Sequence, residues 1–398
     1  MPGQTVSQGP RDVRSSGGGA NGNVPKLKAK RQKAPLWAKA VTAVGTFMAV
    51  LAITGIVSVK YFLGQLTHNI QTTSSVLDDE TAGTKTASGK LPDGAMNLLL
   101  LGLDTRAGWE ERGEASRSDT MLILHIPATR DQAYMISIPR DMDVQIPADR
   151  TLGTPAQVGK INGAYATGSE NKRGWTGGAK LATKTVHELT GIDFNGVVVI
   201  DFNGFQGMLN AMGGVYMCVD KDVWSSHYII VDGKVQYAVG ADPLSPPKNA
   251  LWFKKGCREM KPWEALEFSR IRHSSNGDYD RQRHQQQLLR AMAKKATSAG
   301  ILTNPARVAA ILKAAGSSLK MDTHGVSVED FMFGLKGLAA GDLIPVKTNN
   351  GTYAKSELGN GEGITQSTKD LFKATADDNL RNYLGRHPEL LISDGAAS

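Results

Sequence analysis

Short runs of apolar residues, separated by segments with a helical pattern, restrict the fold of this chain more than any other feature. The strand-like runs cover residues 97–102, 120–126, 133–138, 197–202 and 215–219. Uninterrupted apolar strands are typical of sheets that are covered on both faces. The helical patterns cover residues 178–190, 205–212, 262–268, 282–299 and 305–315. Strands that alternate with helices predict an α/β protein, with a three-layer α/β/α domain around a central mixed sheet.

The segment from Ala40 to Val59 contains 20 residues without a charge, between Lys39 and Lys60. As a helix it would be about 30 Å long, which is the thickness of the apolar core of a bilayer. A buried core helix fits less well, because such helices usually have a polar side. A cleaved signal peptide also fits less well, because no small-residue cleavage site follows. We therefore predict a single transmembrane helix.

The formal net charge of +8 is concentrated at the N-terminus. Residues 1–39 contain eight lysines and arginines against one acidic residue, Asp12. Basic residues mark the cytoplasmic side of a membrane segment, so we expect a cytoplasmic N-terminus, an extracytoplasmic main domain and a location in the cell membrane. The rest of the chain is nearly neutral, which argues against nucleic acid as a partner.

The composition divides the chain into consecutive segments. We predict a disordered basic tail over residues 1–35, the transmembrane helix over 36–63, a polar linker over 64–95, the main domain over 96–385 and a C-terminal tail over 386–398. Residues 225–256 contain Pro243, Pro246 and Pro247. Because proline disfavours the interior of a sheet, we predict an irregular insertion there.

The two cysteines, Cys218 and Cys257, both follow the predicted membrane segment. A cysteine pair in an oxidising compartment is a candidate disulfide. Closing a loop of this length would contribute roughly 4 kcal/mol in the chain-entropy model. Two unrelated buried thiols are the alternative.

Arginine and aspartate residues stand where the apolar runs begin or end. Asp104 and Arg106 follow the first run, Arg117 and Asp119 precede the second, and Arg140 follows the third. Strand ends are where α/β proteins place ligand groups. Arginine forks bind phosphate oxygens, and carboxylates hold the magnesium that accompanies phosphate chemistry. The pattern indicates a phosphate site, although each pair alone would also fit a surface ion pair or a capped loop.

A second basic group lies later in the chain. Arg270 and Arg272 are two residues apart and share a side if the segment is extended. Arg281 and Gln285 are four apart and share a helix face near its N-terminus, where an anion is favoured. A solvated basic helix face is the alternative. Lys160, two residues before Asn162, also fits a helix start.

Several other kinds of site are excluded. The sequence has no His-Glu-x-x-His and no Gly-x-Ser-x-Gly motif, and its eight histidines form no pair with metal-ligand spacing. Residues 83–90 resemble a phosphate loop only faintly, because the glycine spacing is one residue too long and Leu91 replaces Ser or Thr.

Several segments, in this order, resemble the LytR–CpsA–Psr family. They are LLLLGLDTR, SRSDTMLILHI, ISIPRDMDVQIP, KINGAYATG, GMLNAMGGV, ALEFSRIRH and GDYDRQRHQQQLL. The resemblance covers residues 96–290 and is specific because the spaced motifs keep their order. It implies a phosphotransferase that uses Mg²⁺ (or Mn²⁺). The enzyme would move a glycopolymer from an undecaprenyl-pyrophosphate carrier onto peptidoglycan through a phosphodiester.

The resemblance also implies roles for individual residues. Asp104 and Asp119 correspond to the carboxylates that bind the metal, and one of them is expected to be the general base. The pyrophosphate-binding and catalytic set consists of Arg117, Arg140, Arg270, Arg272, Arg281 and Gln285. Arg106 and Lys160 are further expected pyrophosphate ligands. His284 stands where many relatives have arginine.

The lipid part of the carrier is expected in an apolar tunnel near residues 197–209. Teichoic acid, capsule and arabinogalactan-type polymers all remain open as the glycopolymer. Two other functions fit the same residues. One is a polyprenyl-pyrophosphate pyrophosphatase with water as acceptor, and the other is a non-catalytic polyprenyl-phosphate-binding envelope regulator. The two aspartates favour an enzyme, because a pure lipid binder has little need of metal-binding carboxylates.

Overall fold

The apolar runs form strands of one central sheet in the computed structural model. The structure describes residues 70–83, 93–105, 115–238, 245–272, 274, 276–301, 304–326 and 343–392. The strands are β1 (Gln71–Thr73), β2 (Met96–Leu103), β3 (Ser118–Ile126), β4 (Ala133–Ile138), β5 (Asp143–Ile146), β6 (Gln157–Lys160), β7 (Gly196–Asp201), β8 (Val215–Val219), β9 (Val223–Val231), β10 (Lys234–Tyr237), β11 (Ala250–Phe253), β12 (Gly256–Met260), β13 (Leu319–Asp322) and β14 (Leu343–Val346). The seven-stranded sheet has the order β1-β13-β7-β2-β3-β4-β14. It is mixed, because β1–β13, β7–β2 and β4–β14 are parallel pairs while the other neighbours are antiparallel.

Helices cover both faces of the sheet. They are α1 (Ile161–Ser169), α2 (Gly174–Thr190), α3 (Phe202–Met212), α4 (Pro262–Phe268), α5 (Asp278–Ser298), α6 (Pro305–Ala315), α7 (Gln366–Ala376) and α8 (Leu380–Arg386). Leu99 and Leu101 pack with α1, α2, α7 and α8 on one face. Leu98 packs with α3, α4, α5 and α6 on the other face. Successive residues of a strand point to opposite faces, so one apolar strand serves both cores. The predicted three-layer α/β/α fold with a mixed sheet is confirmed.

Helices α2, α3 and α5 begin earlier than predicted, and the differences at α3 and α5 affect the candidate site. Helix α3 begins at Phe202 because the Asp201 side chain accepts a hydrogen bond from the backbone N–H of Gly204 at 2.9 Å. This is a helix N-cap. Helix α5 begins at Asp278 and so includes Asp278 and Asp280 in its first turn. Acidic residues there are favoured by the helix dipole.

The prediction of an irregular insertion over residues 225–256 is wrong. Strands β9, β10 and β11 form an antiparallel sheet in this region. The turn between β9 and β10 contains Asp232 and Gly233, which have φ angles of 51° and 73°. Asp-Gly between two apolar runs is a strong hairpin signal, because both positions of such a turn need positive φ. Pro246 and Pro247 lie in the β10–β11 connection, where they interrupt no strand.

The predicted linker and C-terminal tail are shorter than expected. Val76 and Leu77 are buried in the core, and their backbone N–H groups donate to the buried carboxylate of Asp322 at 2.9 and 3.0 Å. Residues 70–83 therefore belong to the domain. At the other end, Leu390 is fully buried and Ile392 donates to the carbonyl of Pro345 at 3.0 Å. The domain thus extends to Ile392 at least.

Cys218 and Cys257 form a disulfide, as predicted. They face each other directly across the antiparallel pair β8–β12. The predicted cytoplasmic tail and the transmembrane helix lie outside the described residues. Within the described ranges, none of the helices is both long and apolar enough to cross a membrane.

Candidate functional site

The strand ends that carry arginine and aspartate meet at one edge of the central sheet. Leu103 at the end of β2 pairs with Ser118 at the start of β3, and also with Asp201 at the end of β7. Ile138, the last residue of β4, pairs with Met121 near the start of β3. Residues 104, 117–119 and 140 therefore lie along the same edge. The strand pairing explains why short sequence motifs separated along the chain build one site.

Asp119 lies at the centre of this edge. Its Oδ2 atom accepts hydrogen bonds from Nη1 of Arg140 and from Nη2 of Arg272, the latter at 3.0 Å. The Asn162 amide lies 3.4 Å from its Oδ1 atom. Arg281 donates from Nη1 to the backbone carbonyl of Asp119 at 2.8 Å. Three predicted arginines from three separate segments thus converge on one residue.

A second carboxylate, Asp278, holds two of these arginines from the other side. It lies 2.7 Å from Nη2 of Arg281 and 3.5 Å from Nε of Arg140. Burial raises the pKa of Asp278, but Arg281, Gln282 and Arg140 outweigh it, so the pKa lies below its usual value. Burial lowers the pKa of Arg281, and Asp278 opposes this shift. A buried charged pair of this kind remains ionised because each partner compensates the desolvation of the other.

Asp141 pairs with both Lys160 and Arg140, and so brings Lys160 close to the arginines around Asp119. Lys160 Nζ lies 2.8 Å from Asp141 Oδ1, and Arg140 Nε lies 3.5 Å from Asp141 Oδ2. The Lys160 side chain is half exposed, so it can leave Asp141 at a small cost.

The sequence did not single out Asp141 or Asp278 as site residues. The spacing of Asp278 and Arg281, three residues apart on a helix, was the available signal.

Arg140, Arg272 and Arg281 around Asp119 form what we call the arginine cluster. It has hydrogen-bonding capacity that the described residues do not use. The Nε atom of Arg281 is buried and has no hydrogen-bond partner. The buried Nε atom of Arg140 makes no hydrogen bond either, and it meets Asp141 and Asp278 only in ion pairs at 3.5 Å. Buried donors without partners are costly, and a bound anion would satisfy them. Arg117 is exposed and makes no hydrogen bond with a described residue. The site is therefore arranged to receive oxyanions such as phosphate.

An apolar cavity of about 90 Å³ adjoins the arginine cluster between the sheet and helices α3, α4 and α5. Its lining includes Leu100, Leu122, Phe205 and Leu289, and Gln285 and Thr120 are among its few polar groups. This is the region where the sequence predicted a tunnel, because Ile200, Asp201, Phe202 and Phe205 contribute to the wall. Gln285 makes no hydrogen bond with a described residue.

Arg270, two residues before Arg272 of the arginine cluster, contacts the wall of the apolar cavity. Its guanidinium carbon lies 4.2 Å from the centre of the Phe202 ring, which lines the cavity. This is a cation–π contact. On its other side, Nη1 lies 3.9 Å from the buried carboxylate of Glu267. Arg270 is thus held at the point where the polar and apolar parts of the site meet.

The predicted metal ligands differ in their surroundings. Asp104 is exposed and makes no hydrogen bond or ion pair with a described residue, whereas Asp119 is engaged by arginines. Across the described ranges, no group of three or more His, Cys, Asp or Glu side chains is arranged around a metal position. Mg²⁺ commonly uses only one or two carboxylates together with substrate phosphates and water, so these two aspartates fit a metal that arrives with a substrate. Arg106 lies outside the described residues.

A phosphate-bearing group joined to an apolar tail fits this combination of arginines and cavity. The chain belongs to the LytR_cpsA_psr family, whose model matches residues 61–354. This confirms the family that the sequence motifs indicated.

Individual proteins are similar to the chain over most of its length. It is 28% identical over 295 residues to the probable cell wall biosynthesis protein LcpB of Corynebacterium glutamicum, a match that covers 71% of this chain and 60% of LcpB. It is 25% identical over 292 residues to the polyisoprenyl-teichoic acid–peptidoglycan teichoic acid transferase TagV of Bacillus subtilis, covering 71% of this chain and 66% of TagV. The chain thus spans less than two thirds of the length of these relatives.

The fold is also found among solved structures. The crystal structure of protein gbs0355 from Streptococcus agalactiae is similar to the chain with a TM-score of 0.55 and 19% identity. The match covers 72% of this chain and 88% of that protein. At this identity the similarity establishes the fold alone.

Proposed function

We propose that this protein is a phosphotransferase that moves a glycopolymer from a polyprenyl-pyrophosphate carrier onto peptidoglycan. The observation that carries the proposal is that the apolar cavity adjoins the arginine cluster, because Thr120, next to Asp119, and Gln285, one helical turn from Arg281, line its wall. A pyrophosphate would occupy the cluster, and the polyprenyl chain would enter the cavity past Arg270 and Phe202. The name of TagV describes this reaction class for teichoic acid, which supports the proposal.

The reaction would begin with an exchange of partners at the arginines. Arg140 and Arg272 now bind Asp119, and a pyrophosphate brings more negative charge than one carboxylate. The guanidinium groups would therefore turn to the phosphate oxygens, with which they form bidentate hydrogen bonds. Arg281 would change least, because Asp278 and the backbone carbonyl of Asp119 fix it.

The acceptor hydroxyl would attack the phosphorus that carries the glycopolymer. A new P–O bond forms to the acceptor, the bridging P–O bond of the pyrophosphate breaks, and polyprenyl phosphate leaves with the electron pair. The product is a phosphodiester between the glycopolymer and peptidoglycan. Charge develops on the phosphate oxygens, and the arginines would stabilise it.

Asp119 is the better candidate for the base and Asp104 for the metal ligand. Once the arginines turn to the pyrophosphate, the Asp119 carboxylate is free to accept the proton of the hydroxyl. Asp104 is exposed and unengaged by described residues, so it could hold a Mg²⁺ ion that accompanies the substrate. Bound there, Mg²⁺ would neutralise phosphate charge.

The cavity is smaller than the several hundred Å³ of typical ligand sites. Only part of a polyprenyl chain would therefore be enclosed in it. The predicted transmembrane helix would tether the domain to the membrane in which the carrier lies. Single-pass membrane anchoring with an extracytoplasmic site is part of this proposal.

The decisive experiment uses the full-length protein in detergent micelles. It is incubated with a lipid-linked pyrophosphoryl glycan, peptidoglycan oligomers and Mg²⁺, and the products are identified by mass spectrometry. A glycan–peptidoglycan phosphodiester is expected. Release of polyprenyl phosphate with only free phosphorylated glycan would identify a pyrophosphatase. Tight carrier binding without either product would identify a non-catalytic regulator.

A further inference from the structure

A second cavity lies at the beginning of helix α5 and has a volume of about 320 Å³. We call it the α5 pocket. Asn276, Tyr279, Lys347, Asn350 and Thr352 contribute to its wall. Its volume is within the range of small-molecule sites, which is about 300–1,000 Å³. Unlike the cavity beside Arg270, it is lined largely by polar side chains.

The α5 pocket lies on the opposite side of the helix from the arginine cluster. Successive residues of an α-helix are rotated by about 100°. Arg281 and Gln285 face the arginine cluster and the apolar cavity, whereas Arg283 and Gln286 line the α5 pocket. The two sites are thus separated by the body of one helix.

The polar groups of the α5 pocket are suited to a carbohydrate with acidic substituents. The Asn350 amide is exposed and has no hydrogen-bond partner among the described residues. Lys347 makes no ion pair within 4 Å in the described ranges, although Glu389 is near enough to interact with it electrostatically. Gln286 is 1% exposed, and its Oε1 atom is buried without a hydrogen-bond partner. Amides bind hydroxyl and acetamido groups, and a lysine binds a carboxylate.

The wall beside Asn350 is held in an unusual backbone conformation. Asn349, Asn350 and Gly351 have consecutive φ angles of 49°, 55° and 75°. Left-handed residues in succession are costly unless the surroundings fix them, and they often mark binding sites. The Asn349 side chain donates to Glu362 Oε1 and to the carbonyl of Gly363, both at 2.9 Å. Asn276 donates to the carbonyl of Gly351 at 2.7 Å. The wall is therefore preformed.

Glu362 joins the wall of the α5 pocket to the arginine cluster. Its carboxylate accepts a hydrogen bond from the hydroxyl of Tyr279, which lines the pocket. Its backbone N–H donates to the carbonyl of Asp141 at 3.0 Å, and Asp141 pairs with Lys160. The two sites thus share a rigid connection, so a ligand bound at one is positioned relative to the other.

We propose that the α5 pocket binds the acceptor, a polymeric glycan strand that carries hydroxyl, acetamido and carboxylate groups. This assignment rests on the proposed transfer to peptidoglycan. A helix with its side chains is about 10 Å wide, so a single sugar cannot occupy the pocket and present its hydroxyl at the arginine cluster. A strand of several sugars can pass over the N-terminus of α5 and do both. The pocket would thereby select polymers over short acceptors.

The test replaces Asn350 with glycine and Thr352 with tryptophan. Asn350→Gly removes the amide but suits the left-handed backbone, and Thr352→Trp fills the pocket from an exposed position. Asn171→Gly is the matched control, because Asn171 is exposed and has a φ angle of 56° on the α1–α2 connection. Binding of defined peptidoglycan oligomers to the full-length protein is measured by calorimetry without donor. The KM for the oligomer is measured in transfer.

We expect Asn350→Gly to weaken oligomer binding about three- to tenfold, as the loss of one or two hydrogen bonds predicts. Thr352→Trp should weaken it more, and Asn171→Gly should leave it unchanged. Equal oligomer binding by all four proteins, or no oligomer binding by the unmodified protein, would overturn the assignment. So would stronger binding of an unrelated acidic peptide than of the oligomer. If the variants lose binding but the unmodified protein makes no conjugate, the pocket assignment stands and the proposed transfer fails.

Discussion

Arg281 donates from Nη1 to the backbone carbonyl of Asp119 at 2.8 Å, across 162 residues of sequence. Its other terminal nitrogen lies 2.7 Å from Asp278. Arg281 is 3% exposed, so both contacts are shielded from solvent. A single arginine therefore fixes the start of β3 against the start of α5, and with it the geometry of the arginine cluster.

Replacement of Arg281 with lysine should reduce transfer at least about 100-fold, since two charge-assisted hydrogen bonds depend on the planar fork. A lysine ammonium can reach only one of the two acceptors, the carbonyl of Asp119 or the carboxylate of Asp278. Conjugate formation is measured by mass spectrometry, and thermal unfolding confirms that the variant is folded. Arg258→Lys is the control, because Arg258 donates to the carbonyl of Lys254 at the surface. Near-normal transfer by a folded Arg281→Lys protein would show that its fork is not needed.

Asp104→Asn and Asp119→Asn should both lose activity but respond differently to Mg²⁺. If Asp104 binds the metal, its amide variant should need a higher Mg²⁺ concentration and recover part of its rate there. If Asp119 removes the proton, no Mg²⁺ concentration should restore Asp119→Asn. The rate is measured over a Mg²⁺ titration after treatment with a chelator. Recovery of Asp119→Asn but not of Asp104→Asn would reverse the two assignments.

Much of the sheet edge could be predicted from the sequence because its signals are local. Asp104, Asp119 and Arg140 adjoin buried strands, and such strands are recognisable as apolar runs. The two aspartates that pair with the site arginines, Asp141 and Asp278, were harder to predict, because they look like ordinary loop or helix-start residues. Their role depends on pairing with arginines that are distant in sequence.

The parts that could not be predicted involve contacts between remote segments. Strand β1 pairs with β13, and no local pattern in Gln71–Thr73 indicates a partner near residue 320. The contact of Glu362 with Tyr279 is of the same kind. The hairpin at Asp232 and Gly233 is different, because its turn signal was present in the sequence and the nearby prolines outweighed it.

Enlarging Leu289 should separate long-chain from short-chain donors. Leu289 lines the apolar cavity, which has about 90 Å³ of free volume. In Leu289→Phe the larger ring would occupy part of that space, so the KM for a long polyprenyl donor should rise about tenfold, as loss of one or two buried methylene groups predicts. A donor with a short chain should be affected less. Leu358→Phe is the control because Leu358 is 57% exposed. Equal effects on both donors would place the lipid elsewhere.

Removing the disulfide should lower stability more than activity. The bond closes a loop with a sequence separation of 39, which corresponds to about 4 kcal/mol in the chain-entropy model. Gln287 of α5 donates to the carbonyl of Cys218 at 3.0 Å, so the β8–β12 pair also supports the helix that carries Arg281. The double variant Cys218→Ser, Cys257→Ser should unfold at a lower denaturant concentration. Unchanged unfolding would show that the pair contributes no net stability.

His125 should make the domain less stable in mild acid. Its ring is fully buried, with Nδ1 2.7 Å from Asn97 Oδ1 and Nε2 3.3 Å from Asp378 Oδ1. Burial lowers its pKa to about 4, and Asp378 only partly opposes the shift. In the unfolded chain His125 therefore becomes protonated near pH 6.5, whereas in the folded protein it stays neutral until about pH 4. The free energy of unfolding should have its full value above pH 6.5, and it should fall by up to about 3 kcal/mol as the pH decreases to 4.

Denaturant unfolding at a series of pH values checks this dependence. In His125→Gln the part of the slope between pH 6.5 and 4 that His125 causes should disappear, although the variant is less stable at pH 7 because the buried ring is lost. His387→Gln is the control, because the His387 side chain is 40% exposed and pairs with the exposed Glu389. An unchanged slope in His125→Gln would mean that other groups cause the acid sensitivity.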